Sequence, residues 1–282
     1  MINLYTTRHL FRLSCLLGCF MVGLVACQQH DKQQVSYPDT SDVDDQSTVT
    51  KAKAGDPVAQ AKLGWMYSTA HHAPKDVEKG IAWYTIAGNN GDHNAQFNLG
   101  VIYGNGQGVP KDYKKAAYWY RKAADQGDKD AQYSVGVFFD RGYGVPSDHK
   151  EAAQWYKLAA EQDLPIAQYD LAVSYRNGDG VTRDNKKAAY WYQKAGENGV
   201  VRGMTGISDM CAEGLGVKQD YVCAYQWLKL ALLQTNLSDP DNDKRLIEIE
   251  KKHLAQYAEK ISINEREQAD AWVQDWLATH SK

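Results

Sequence analysis

Ser147-Asp148-His149-Lys150 sets a hydroxyl three residues before an amine, a spacing at which a lysine activates a serine nucleophile. Such a nucleophile works with a Lys-Thr-Gly and a Ser-Asp-Asn elsewhere in the chain, and neither is present. Gly104-Asn105-Gly106-Gln107-Gly108 has the glycine density of a loop whose amides cradle phosphate, yet no strand precedes it and related glycines recur down the chain, so it reads as a turn. Asp239, Asp241, Asp243 and Glu250 fall at positions 1, 3, 5 and 12 of a calcium loop, but Lys244 stands where the turn needs glycine. The rival reading is an acidic linker that caps a helix. His71-His72 offers two adjacent imidazoles and no further ligand. No His-Glu-x-x-His, Gly-x-x-x-x-Gly-Lys or Gly-x-Ser-x-Gly occurs, and the cysteine spacing fits no zinc site. The expectation is a protein without catalytic residues, metal or cofactor.

Cysteine carries a different chemistry. The first 26 residues include Arg8 and Arg12 but no acid, and Leu13 to Ala26 is uncharged, the order of a secretory n-region and h-region. That apolar run is too short to span a bilayer comfortably. It ends in Leu24-Val25-Ala26-Cys27, the form of a lipobox, in which the cysteine receives a diacylglyceryl thioether and becomes the new N-terminus. Residues 1–26 are therefore expected to be a lipoprotein signal peptide, with the membrane touched only through Cys27. In lipoproteins an Asp after the cysteine commonly holds the protein at the inner membrane; Gln28 here points to the outer membrane and a periplasm-facing body. Cys15 and Cys19 leave with the signal, so Cys211 and Cys223 remain, a candidate pair in an oxidising compartment.

Residues 27–50 follow the lipid with Gln, Asp, Ser and Thr and few apolar side chains, which reads as a disordered tether. Removing Arg8 and Arg12 takes the net charge from −3 to −5, leaving no electrostatic footprint for nucleic acid. Hydrophobic residues make up 43% of the chain, enough for a sizeable core. An excess of 18 Tyr and 8 Trp over 5 Phe points to a motif used many times.

That motif supplies the elements. Trp83, Trp119, Trp155, Trp191 and Trp227 lie 36 residues apart, each followed by Tyr except at Leu228. Leu63, Leu99, Val135, Leu171 and Ile207 keep the same interval, as do Asp76, Asp112, Asp148, Asp184 and Asp220. In the second unit Ala95, Leu99, Ile102 and Tyr103 share one face of a helix that Asp92 would cap. Ala116, Trp119, Tyr120 and Ala123 do so on a second helix opened by Asp112. Gly106 and Gly108 sit in the link, where positive φ or close approach is needed. The body is expected over 51–236, with two further helices in 237–282 offering Ala271, Trp272, Trp276 and Leu277 to close the last open face.

The run Ala95-Gln96, Leu99-Gly100, Tyr103, Gly106-x-Gly108-Val109, Asp112, Lys115-Ala116, Trp119-Tyr120, Lys122-Ala123-Ala124, Gln126-Gly127 closely resembles the Sel-1-like repeat, a relative of the tetratricopeptide repeat. The resemblance implies an all-α, right-handed α-solenoid of five 36-residue helix-turn-helix repeats with C-terminal capping helices. In such a stack the first helix of each unit lines a concave groove. That rule selects Trp65, Asn94, Phe97, Val101, Asp130, Tyr133, Val137, Asp140, Ile166, Tyr169, Val173, Arg176 and Arg202 as partner-facing, although the rings among them can equally pack between units. The implied role is a non-catalytic scaffold whose partner is an envelope protein, a peptide or a secreted toxin. Some exported relatives are immunity proteins against phospholipase toxins. Penicillin binding or hydrolysis, attributed to cysteine-rich relatives, is disfavoured because those carry a cysteine pair in nearly every unit. Cys211 and Cys223 lie across the fifth hairpin, as a disulfide or as two buried thiols.

Overall fold

The computed structural model describes residues 37–238 and 244–280. The chain divides into two units, Met1–Asp39 and Thr40–Lys282, and every helix described belongs to the second. Cys27, the segment 1–26, and Asp239, Asp241 and Asp243 lie outside the described residues.

Among the described residues there are thirteen helices and no strand. A short α1 (Gln46–Lys53) precedes five hairpins. These are α2 (Pro57–Thr69) with α3 (Val77–Asn89), α4 (His93–Asn105) with α5 (Tyr113–Asp125), α6 (Lys129–Arg141) with α7 (His149–Ala160), α8 (Pro165–Asn177) with α9 (Asn185–Glu197), and α10 (Val201–Glu213) with α11 (Tyr221–Ser238). Two more helices, α12 (Lys244–Ala258) and α13 (Ile263–His280), follow. Each helix packs chiefly on its hairpin partner and on the next unit, the one-dimensional stacking of a solenoid.

Aspartates start the helices. Asp76, Asp112, Asp148 and Asp184 accept from backbone N–H groups of the first turn of each second helix, and Asp56, Asp92 and Asp128 do so for the first three first helices. Leu164 and Val200 leave α8 and α10 without that bond. First helices end on a left-handed residue, Gly106, Gly142, Gly178 or Gly214. In the first unit Ala70 and His72 take φ of 60° and 58° themselves, so the missing glycines change the cost of the turn and not its path.

The units lock through size complementarity. Trp83 is fully buried and Trp119, Trp155 and Trp227 nearly so. The Trp119 ring lies against Gly88 and the Trp227 ring against Gly196, each on the second helix of the preceding unit. On the first helices a Cβ at Gly64, Gly100 or Gly136 would fall 2.5–2.6 Å from the ring of Tyr84, Tyr120 or Tyr156.

A buried polar ladder accompanies this core. Gln60, Gln96, Gln132 and Gln168 donate through Nε2 to the carbonyls of Ala52, Gly88, Ala124 and Ala160, in the last turn of the preceding helix. The same side chains accept at Oε1 from Asn90, Gln126, Gln162 and Asn198. Each glutamine thus satisfies a carbonyl that a helix end leaves open.

Residues 40–50, expected in the tether, are instead structured. Val43, Val49 and Ala52 are buried, and α1 packs on α2. The polar residues that suggested disorder have specific partners. Asp42 accepts from Tyr67 Oη at 2.5 Å and pairs with Lys79 at 2.9 Å, while Asp45 caps α1 through Thr48 and pairs with Lys62 at 2.9 Å. Composition counted few apolar residues; position buries Val43 and Val49, the latter on the helix that packs against the first hairpin. At the other end Val273 and Trp276 of α13 are buried in the last core cluster, and Trp272 meets Trp227 edge-on at 5.2 Å. The calcium-loop pattern loses its basis here, because α12 is already helical at Lys244, where the loop would have to turn.

Candidate partner-binding groove

Successive helical residues are 100° apart, so Asp130, Tyr133, Val137 and Asp140 share one side of α6, and the equivalents share one side of α4 and α8. Trp65 and Ile166 in this row are 42% and 38% exposed. Asn94, Asp130 and Arg202 are exposed, and Phe97, Val101, Tyr133, Val137, Asp140, Tyr169, Val173 and Arg176 are half-buried.

The half-buried rings have partners within their own hairpins. Phe97, Tyr133 and Tyr169 lie 5.6, 5.7 and 5.9 Å, centroid to centroid, from Tyr120, Tyr156 and Tyr192. These ring contacts lie within one hairpin and not between units, and each ring stays partly exposed. Tyr133 also ties two units together, its Oη donating to Asp170 at 2.9 Å.

Asp170, Asp209 and Arg141 stand beside this row and were not singled out in the sequence, and Glu250, read there as a calcium-loop position, is instead coupled to Asp209. Burial raises the pKa of Asp170, against the Tyr133 hydrogen bond and the charges of Arg141 and Arg202. Burial likewise raises Asp209, with Arg176 Nη1 at 3.9 Å opposing. Glu250 of α12 is raised by burial and by Asp209. Burial and the Asp170 carboxylate push the Tyr133 hydroxyl well above its ordinary range. Asp170 occupies the position of Lys62, Asn98 and Ser134 in earlier units, so no repeated residue marked it in the sequence.

Cys211 and Cys223 form a disulfide across the fifth hairpin, with Cα atoms 6.0 Å apart. His71 and His72 are exposed, and His71 lies against the Trp65 ring at 4.7 Å. Asp148 of the Ser-x-x-Lys run caps α7. His149 pairs with Asp140 at 2.9 Å, and Ser147 Oγ donates to the Asp140 carbonyl. That tetrapeptide is the ordinary start of a second helix.

Equivalent hairpins that repeat one row of rings and charges define a helical-repeat scaffold. The Sel1 repeat model matches residues 57–92, 93–128, 129–164, 165–200 and 201–236, and the chain belongs to the Sel1 repeat family, whose repeats generally mediate protein–protein interactions. A Sel1 repeat protein from Oxalobacter formigenes is similar at 31% identity and a TM-score of 0.64, over 69% of this chain and 79% of that one. So is c5321, a protective antigen of uropathogenic Escherichia coli displaying an SLR fold, at 26% identity and a TM-score of 0.52, over 83% of this chain and 56% of that one. Among curated proteins none matches.

Proposed function

We propose that this chain is a non-catalytic protein-binding scaffold of the bacterial cell envelope. It is exported, lipid-anchored through Cys27 at the outer membrane, and holds a protein partner along the first-helix row. The partner is an envelope protein, a peptide or a secreted toxin. The supporting observation is the row itself. Trp65, Val101, Val137 and Val173 recur at one position, and Phe97, Tyr133 and Tyr169 at another, on one side of the first four first helices. Arg176, Arg202 and Asp140 flank them. Rings held rigid on one face and wet on the other lose little entropy on contact, which is what anchor residues require.

The test uses exposed members of the row, because removing half-buried rings would also loosen the hairpins. Trp65→Ala, Asn94→Lys and Ile166→Ser together should leave thermal unfolding unchanged. Compared with wild type in crosslinking and affinity purification from envelope extracts, the triple variant should lose specific proteins. Equal recovery of the same proteins by both would remove the groove assignment. Cys27→Ser in the same strain should move the protein out of the membrane fraction.

A further inference from the structure

The second helices of the middle units carry a positive charge that the fold does not neutralise. α5 has four lysines and arginines, α7 two and α9 three, against one carboxylate in each, in a chain whose net charge is −3. Those carboxylates are already taken: Asp125 by Arg121 at 2.9 Å, Glu151 by Arg121 at 3.6 Å and Glu197 by Lys194 at 3.1 Å. The flanking Asp112, Glu161 and Asp184 pair in turn with Lys115, Lys157 and Lys187, and Asp148 is turned to the amides of Lys150 and Glu151. Left over are Lys114, Lys150 and Lys186. They recur at one position of the repeat, are exposed, and pair with no carboxylate among the described residues.

Apolar side chains share their side of the helices. Residues i, i+4 and i+8 fall within about 80° of one another, whereas i+2 lies opposite. Lys114 is therefore in line with Tyr118, Lys150 with Leu158 and Lys186 with Tyr190, all turned away from the buried Ala116, Ala152 and Ala188. Tyr118, Leu158 and Tyr190 are 53%, 43% and 54% exposed. In the end units the lysine position holds Glu78 and Val222, and the tyrosine position holds Ala82 and Gln226. The face is thus confined to the three middle units, on second helices and apart from the first-helix row.

We propose that this face of α5, α7 and α9 rests on an anionic phospholipid surface, with Tyr118, Leu158 and Tyr190 entering the headgroup layer and the three lysines meeting phosphates. Unpaired lysines gain attraction beside a negatively charged bilayer. A tyrosine ring settles at the interface with its hydroxyl in water, and lysine stems lie over apolar surface while their ammonium groups reach the phosphates. A fluid headgroup layer accommodates single side chains spread over three helices, which a folded acidic protein would have to match one by one. The inference builds on the membrane location proposed above, but not on Cys27 itself.

Thr40–Lys282 is a compact unit that contains every described helix, so it can be tested without Cys27. Fractionation of the Cys27→Ser protein then judges the anchor separately. Vesicles of phosphatidylglycerol and phosphatidylcholine in equal parts should carry the protein down on sedimentation at low salt, and release it as salt rises. Vesicles of phosphatidylcholine alone should leave it in the supernatant. Lys114→Gln, Lys150→Gln and Lys186→Gln together should weaken binding on the order of a hundredfold. Tyr118→Gln with Tyr190→Gln installs the residue that the third unit has at Gln154, and should weaken binding about tenfold. Both variants should unfold at the wild-type temperature, since neither removes a buried side chain or an ion pair. The proposal is overturned if wild type does not sediment with anionic vesicles, if it sediments equally with phosphatidylcholine alone, or if the lysine variant binds as wild type does. Displacement from the vesicles by soluble polyglutamate, together with wild-type binding by the tyrosine variant, would overturn it in favour of an acidic protein partner.

Discussion

The buried glutamines show how much one side chain can be asked to do in a repeat protein. Gln96 is 4% exposed, donates to the Gly88 carbonyl at 2.7 Å and accepts from Gln126 at 2.8 Å. The fifth unit carries Met204 at this position, so methionine fits the volume there. Gln96→Met should therefore keep the packing and strand the Gly88 carbonyl and the Gln126 amide, at a cost of about 1–3 kcal/mol. Chemical denaturation would read this as a lower midpoint with an unchanged slope. An unchanged midpoint would mean that the ladder contributes order without energy. At the same scale, Asp148 looks like part of a nucleophile motif until its carboxylate is seen to accept from the N–H groups of Lys150 and Glu151.

Helices at the two ends meet opposite electrostatic conditions. At the N-terminal end the Tyr67 hydrogen bond and Lys79 lower the pKa of Asp42, so its contribution is present above the ordinary carboxylate range and is lost on acidification. At the C-terminal end Asp209 and Glu250 are raised above 3.8 and 4.5, with Glu213 and His253 beside Asp209. Between those ordinary values and the raised ones the folded state binds more protons than the unfolded chain. Stability there falls as pH rises and recovers as pH drops. Hydrogen-exchange protection of α12 should thus increase as pH is lowered toward the ordinary carboxylate range, and Asp209→Asn should flatten the change. Protection that falls over the same interval would show that this carboxylate pair does not govern the docking of α12.

For the whole molecule, nearest-neighbour stacking leaves each unit dependent on the next. Val273 and Trp276 cover the last core cluster, and α13 contacts α11 directly. A chain ending at Ser238 should expose Trp227 and unfold from α11 backwards, with exchange protection lost first in α10 and α11 and retained in α4 to α7. Uniform loss along the stack would indicate global cooperativity instead.

The family, the period, the helix pairs and most caps follow from sequence alone, because a 36-residue repeat writes the same local physics five times: an apolar stripe, an aspartate at each start, a glycine at each turn. The row proposed as a groove was drawn from the same repeat, since helical geometry assigns a face to every position. Asp170, Glu250 and α1 were not, because their roles rest on contacts from other helices. Tyr133 reaches Asp170 across 37 residues, and Lys79 reaches Asp42 across 37 as well. The glutamate at 151 is visible in the chain, but only the packed structure turns it toward Trp155 and Arg121.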